Sequence, residues 1–178
     1  LTRRLIDSLV KNFFLARKIN IIFLNYKNLK LEINMEDSFD RVFLFKGYWE
    51  DDQIDYLLKY SKNNITDIFI DIGSNSGLYS LMFAKNNSNI KILSYEPIKI
   101  TYEKQLRNIS LNNFDQKIDV FNYGLSNRSG NTYFSTKTSY NYKQSSTYKV
   151  SSKGDQIGKL YIFDEILNIT KKNLIIKI

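Results

Sequence analysis

Hydrophobic and polar positions change their rhythm along the chain. Near the start, Leu5, Ile6, Leu9, Val10, Phe13 and Phe14 recur at helical spacing, with Arg3, Arg4 and Lys11 off that stripe. This predicts an amphipathic helix packed on its own domain. The same stripe would also suit a helix lying on a membrane surface. Two short apolar runs follow, Ile19–Leu24 and Leu29–Ile33, and they predict a hairpin turning at Tyr26-Lys27-Asn28. The apolar run Arg41–Phe45 reads as a further strand. Gly47-Tyr48-Trp49-Glu50 breaks the pattern, and Asp51 and Asp52 then suit the positive end of a helix running to about Tyr60.

From residue 66 the order becomes strand, helix, strand, helix, strand. The strands are Asp67–Ile72, Ile90–Tyr95 and Ile118–Asn122, and the helices are Leu78–Lys85 and Lys99–Asn112. Such an alternation predicts an α/β fold on a parallel sheet with right-handed crossovers. Between Gly130 and Gly158 the chain turns polar. Thr132–Ser135 reads as a short strand and Ser139–Ser152 as a loop. Asp164–Asn168 reads as a short helix and Leu174–Ile178 as a fourth core strand. Two regions are expected: 1–60, a helix-and-hairpin extension, and 61–178, a Rossmann-like core.

Composition narrows the chemistry. The 178 residues contain no Cys and no His. That excludes disulfides, thiolate nucleophiles, Cys-ligated zinc and the commonest general base. No metal site is expected. Lys and Arg exceed Asp and Glu by 26 to 18, a formal +8. No basic block is long enough for a nucleic-acid arm, so this charge reads as solvated surface and no nucleic-acid partner is expected. Charged residues interrupt every apolar run, so neither a signal peptide nor a transmembrane segment is predicted. The absence of targeting signals suggests a cytoplasmic protein. The first residue is Leu1 and the last apolar run is cut at Ile178, which reads as a piece of a longer chain.

The informative segment is Asp71-Ile72-Gly73-Ser74-Asn75-Ser76-Gly77, between a buried strand and a helix. Gly73 allows a tight turn and the close approach of a ligand; Gly77 lets the helix start against the strand. Open α/β sheets bind ligands beyond the carboxyl ends of their strands. The second strand ends at Glu96, 23 residues after Gly73, where a carboxylate can accept hydrogen bonds from ribose hydroxyls. Dinucleotide enzymes use G-x-G-x-x-G, which lets a pyrophosphate approach helix-end amides. Here Asn75 stands where the second Gly belongs and would crowd that group. S-adenosylmethionine has no phosphates, and Asp71 could help hold its cationic end. The spacing therefore favours S-adenosylmethionine over NAD.

These residues belong to a longer series of blocks. Asp71-Ile-Gly-Ser-Asn-Ser-Gly-Leu-Tyr-Ser80 comes first, then Glu96-Pro97 followed by Tyr102, Leu106, Asn108 and Asn112. Gly124-Leu125-Ser126-Asn127 with Gly130 is third, and Asp164-Glu165-Ile166 followed by Leu174-Ile-Ile-Lys-Ile178 is fourth. In this order they resemble the FkbM family of S-adenosylmethionine-dependent methyltransferases from about Asp37 onward. Gly47-Tyr48-Trp49-Glu50 is also similar to a family feature. The resemblance implies a class I methyltransferase sheet. It implies that Asp71, Gly73, Ser74, Asn75 and Gly77 surround the methionine part of the cofactor. Glu96 would hold the ribose and Pro97 would lie near the adenine. It further implies O-methylation of a hydroxyl on a sugar, glycan or small polar metabolite. Ser74 and Gly124 each stand where the family commonly has Ala, and Asn127 replaces a frequent Asp. The family's D-x-E-G would begin directly after Ile178 and could carry the base, so no catalytic residue is assigned. A chain ending there is expected to be a poor catalyst.

A second function class stays open: a carbohydrate-associated binding module that keeps the fold without catalysis. Tyr133, Tyr140, Tyr142 and Tyr148 could then stack on sugar rings. A nucleic-acid methyltransferase would account for the charge. Its D/N-P-P-Y/F tetrapeptide is absent, since the only proline is Pro97.

Overall fold

The structure is a computed structural model and describes residues 2–135, 149–151, 154–166 and 172–178. Helix α1 (Thr2–Ala16) leads into the hairpin β1 (Ile21–Tyr26) and β2 (Leu29–Asn34). Lys27 and Asn28 both take positive φ, 45° and 59°. This is the turn geometry whose twist matches paired strands. Val10 and Phe14 of α1 pack on the core, while Leu9 and Phe13 point to solvent. The apolar stripe is thus split between the core and an open face. No helix among the described residues is long and apolar enough to cross a membrane.

Residues Arg41–Phe45, expected as a strand, lie instead inside helix α2 (Ser38–Lys46). The cause is local. The Asp37 side chain accepts from the Phe39 amide at 2.8 Å and caps the helix start. Gly47 closes it at φ 69°, its amide donating to the Phe43 carbonyl. Two caps flanking nine helical residues outweigh the strand preference of a short apolar run. Helix α3 (Asp51–Asn63) follows.

The core is the predicted α/β unit: β3 (Ile68–Ile72), α4 (Leu78–Asn86), β4 (Lys91–Tyr95), α5 (Lys99–Leu111) and β5 (Ile118–Phe121). With β10 (Leu174–Lys177) they form an all-parallel sheet of order β10-β3-β4-β5. The chain runs outward from β3 to β5 and returns to place β10 on the other side of β3. The topological switch point therefore lies between β3 and β10, where open α/β sheets take their ligands.

Strand alternation sends Phe69, Ile92, Ile118 and Ile175 into one core with Leu81, Phe83 and Ile109 of the crossover helices. Phe69 and Phe83 stack with centroids 3.7 Å apart. Ile68, Ile70, Leu93 and Tyr95 face the other way, against Tyr123, Leu125 and Ile166 of α6 (Phe163–Ile166). A second, mixed sheet has the order β6-β9-β7-β8, from β6 (Gly124–Ser126), β7 (Gly130–Ser135), β8 (Lys149–Ser151) and β9 (Gln156–Ile162). Residues 149–151, expected within a loop, pair with β7, and β6 and β9 were not expected at all. The rest of the Ser139–Ser152 loop, with Tyr140, Tyr142 and Tyr148, lies outside the described residues. Tyr133 is half exposed on β7.

The hairpin is tied to the core by polar side chains of α5. Asn108 is fully buried. Its Oδ1 accepts from the Glu32 amide at 2.7 Å, and its Nδ2 donates to the Ser76 carbonyl at 3.0 Å. One turn later, Asn112 accepts from the Lys30 amide at 2.9 Å and donates to its carbonyl at 2.8 Å. Arg107 forks onto both oxygens of Glu32. A buried group that loses its partner costs about 1–3 kcal/mol. Replacing Asn108→Ala strands two such groups, so it should lower unfolding free energy by about 2–4 kcal/mol. Asn112→Ala, whose partners are exposed to water, should cost about 1 kcal/mol. Urea unfolding of both variants checks the order.

Candidate ligand site at the switch point

The turn from β3 into α4 has three left-handed residues: Gly73 (φ 68°), Asn75 (φ 53°) and Gly77 (φ 84°). Asn adopts this region more readily than other side chains, which is why the turn tolerates it at the middle position. A Cβ on Gly73 would meet open space, whereas one on Gly77 would lie 2.7 Å from the Gln105 side chain. Gly77 thus serves both the turn and the close approach of α5.

A polar layer supports the turn from below. Ser74 Oγ donates to Gln105 Oε1 at 2.8 Å, and Gln105 Nε2 donates to Ser94 Oγ at 2.5 Å. Ser80 Oγ donates to Asp71 Oδ2 at 2.8 Å. All five side chains are buried. Asp71 is fully inaccessible, and its Oδ1 faces Lys177 Nζ at 3.3 Å. That contact is an ion pair without hydrogen-bond geometry, so Asp71 Oδ1 accepts no hydrogen bond. Lys177 Nζ also lies 3.4 Å from the Gly73 carbonyl and 5.1 Å from the Tyr79 ring centroid.

Glu96 is 5% exposed, and both its oxygens are engaged: Oε2 accepts from the Asn75 amide and Oε1 from the Ile98 amide, each at 2.9 Å. Burial pushes its carboxyl up to about 7, and the Ile98 and Asn75 amides hold it from rising further. Pro97 packs elsewhere, against the second sheet: a Cβ on Gly124 would meet its ring at 3.4 Å, and one on Gly158 its carbonyl at 2.9 Å.

A cleft of about 250 Å³ opens above the turn, lined by Gly73, Ser74, Asn75, Ser76, Tyr79 and Lys177 on one side. Across it stand Phe39, Trp49, Glu50 and Gln53. Asn75 Oδ1 is buried here with no hydrogen-bond partner. Of the residues singled out from the sequence, Gly73, Ser74 and Asn75 line the cleft. Gly77 and Asp71 lie behind it, Glu96 beneath the turn, and Pro97 against the second sheet. Asn108 belongs to the second sequence block. It lines the cleft as well, and it joins α5 to both the hairpin and the turn. Lys177 and Gln105 were missed as site residues. Lys177 sits two residues before the expected D-x-E-G, and that position was its one signal. Among the described residues no group of His, Cys, Asp or Glu could hold a metal ion.

No family profile matches the chain. Over 68 residues, 36% of the chain, it is 35% identical to the methyltransferase sdnD of Sordaria araneosa. The chain spans only 26% of that relative's length. Among solved structures it is similar to a SAM-dependent methyltransferase from Agrobacterium tumefaciens. That match has 10% identity and a TM-score of 0.46, covering 59% of this chain and 33% of that one. It is also similar to TYW2 of P. horikoshii in complex with MeSAdo, with 14% identity and a TM-score of 0.43, covering 58% and 36%. The fold assignment rests on the strand order and the switch point.

Two outcomes test this geometry. Gly73→Ala should cost about 1–2 kcal/mol, the penalty of a left-handed Ala. Gly77→Ala should cost more, because Gln105 must also give way and release Ser74 and Ser94. Thermal unfolding ranks the two. The second outcome concerns pH. The folded-state pKa of Glu96 is raised from 4.5 to about 7, so between those values the native state holds the extra proton. Its contribution to stability is full below 4.5 and is lost as pH rises to 7, a change of up to about 3 kcal/mol. Glu96→Gln should flatten the stability profile across that window, as read by urea unfolding at pH 5 and pH 7.5.

Proposed function

We infer that this chain carries the cofactor site of an S-adenosylmethionine-dependent methyltransferase related to the FkbM family. The observation that carries the reading is Asn75. It holds the left-handed middle position of a turn that lines the cleft, and its buried Oδ1 has no hydrogen-bond partner within the protein. A pyrophosphate has only acceptors to offer that oxygen, and the Asn75 amide is already spent on Glu96. A ligand with N–H or O–H donors and no phosphate satisfies it. The local identity to a methyltransferase supports the same reading.

In this reading Gly73, Ser74 and Asn75 hold the methionine part of S-adenosylmethionine, with Asp71 and Gly77 setting the shape of the turn. Glu96 takes the ribose. Each of its oxygens has accepted one amide and keeps a second lone pair for a hydroxyl. Pro97 lies next to Gly124 and Gly158 on the adenine side. When bound, the cofactor supplies a methyl group already activated on a sulfonium sulfur. The protein's task is then to align the acceptor and exclude water. The acceptor we propose is a hydroxyl on a sugar, glycan or small polar metabolite, as in the FkbM family.

Calorimetric titration with S-adenosylmethionine, S-adenosylhomocysteine and NAD tests the proposal. The first two should bind and NAD should not. Glu96→Ala should abolish binding. The ribose hydroxyls donate to the ionised carboxylate, so lowering the pH from 8 to 6 through about 7 should weaken S-adenosylhomocysteine about tenfold. Binding of NAD alone would overturn the reading.

A further inference from the structure

The carboxylates around the cleft are not equivalent. Glu32 is paired with Arg107 at 2.6 Å, and Asp40 with Lys104 at 2.6 Å. Asp71, the residue first expected to hold a cationic ligand, does not line the cleft. It is fully buried behind Lys177, which neutralises it. A cation reaching Asp71 would have to break that pair. Glu50 is different. It lines the cleft, and its described partner is the Tyr79 hydroxyl at 2.7 Å, which is uncharged. No Lys or Arg among the described residues forms an ion pair with it.

The chemistry around Glu50 is specific. Gln53 Oε1 also lies 2.7 Å from the Tyr79 hydroxyl. Glu50 and Gln53 present acceptor oxygens, and Tyr79 has a single proton to share between them. Burial and the neighbouring Glu50 carboxylate keep that proton on the phenol, well above its ordinary range. One phenol proton cannot serve both oxygens, so the Glu50 carboxylate keeps acceptor capacity facing the cleft. A primary ammonium brings three N–H donors and a positive charge; a sulfonium brings no donor. Glu50 takes a left-handed backbone at φ 49° without glycine or asparagine chemistry, and its side chain makes no bond to the helix it precedes. Asp52 in the first turn of α3 offsets the positive helix end that would otherwise repel a cation, while Asp51 is paired with Lys27 at 3.2 Å.

We propose that Glu50, with Gln53 and Tyr79, binds the α-ammonium of the ligand's amino-acid part, and that Asp71 does not. The assignment rests on the cofactor reading above and extends it to a residue outside the turn. Its test needs binding alone. Three probes differ in charge: S-adenosylmethionine has the ammonium and the sulfonium, S-adenosylhomocysteine the ammonium only, and 5′-methylthioadenosine neither. Charge-assisted hydrogen bonds are about twice as strong as neutral ones. Glu50→Gln should therefore weaken both amino-acid-bearing probes about ten- to a hundredfold. It should leave 5′-methylthioadenosine unchanged. Gln53→Ala should weaken the same two probes by less.

Equal losses for all three probes would make Glu50 a structural residue and overturn the assignment. So would unchanged affinity for S-adenosylhomocysteine. A loss confined to S-adenosylmethionine would move the contact to the sulfonium and overturn the ammonium assignment. Failure of the wild-type chain to bind any probe would instead overturn the cofactor reading itself, and this assignment with it.

Discussion

The turn between β3 and α4 cannot support itself. Three of its five residues from Gly73 to Gly77 are left-handed, and two lack side chains to pack. What holds it is the polar face of α5 together with the end of β4. Gln105 takes the Ser74 hydroxyl, Asn108 the Ser76 carbonyl, and Glu96 the Asn75 amide. Each of these side chains is buried. A buried polar group must be paired, so the contacts fix the turn and α5 relative to each other. The cleft above inherits its shape from this arrangement.

The same helix sets the opposite wall. Asn108 and Asn112 are four residues apart and lie on one face of α5, where they read the backbone of β2 much as another strand would. The hairpin therefore docks by main-chain hydrogen bonds as well as by the apolar side of β2. α2 is linked to α5 in turn, through the ion pair between Asp40 and Lys104. Buried pairs of this kind add little net stability, since desolvation offsets attraction. Removing one partner is costly, so the pair acts as a register pin between α2 and α5. Trp49 and Glu50, at the end of that segment, then face the turn across the cleft.

How much of this was legible follows from where each signal sits. The β3–α4–β4–α5–β5 unit was readable because each strand is a short, mainly apolar run and the helices between them recur in strict alternation. The glycines at 73 and 77, and the spacing to Glu96, marked the turn. Helix α2 was misread because Arg41-Val-Phe-Leu-Phe45 is apolar enough for either element, and the deciding caps lie outside that run at Asp37 and Gly47. Of the second sheet only β7 was legible, as Thr132–Ser135; β6 and β9 were missed because β6 is three residues long and β9 has Gly158 and Lys159 in its middle. No periodic pattern survives in such strands. The site's supports were invisible for another reason: Asn108 meets Glu32 across 76 residues, and no local pattern encodes a contact at that separation.

Charge placement links these layers to chemistry. The sequence placed an acid at the end of β3, and the obvious use for it was to hold a cation. In the fold that acid is enclosed, and the lysine that neutralises it comes from the neighbouring strand β10. A buried carboxylate needs its counter-charge permanently at hand, because leaving it unpaired costs several kcal/mol. Asp71 and Lys177 are thus better understood as one neutral unit that joins the two strands at the switch point. Once that pair and the pairs at Glu32 and Asp40 are set aside, the free negative charge of the cleft resides on Glu50. The carboxylate left to meet a cationic ligand thus stands on the far wall, outside the glycine turn that first drew attention to the site.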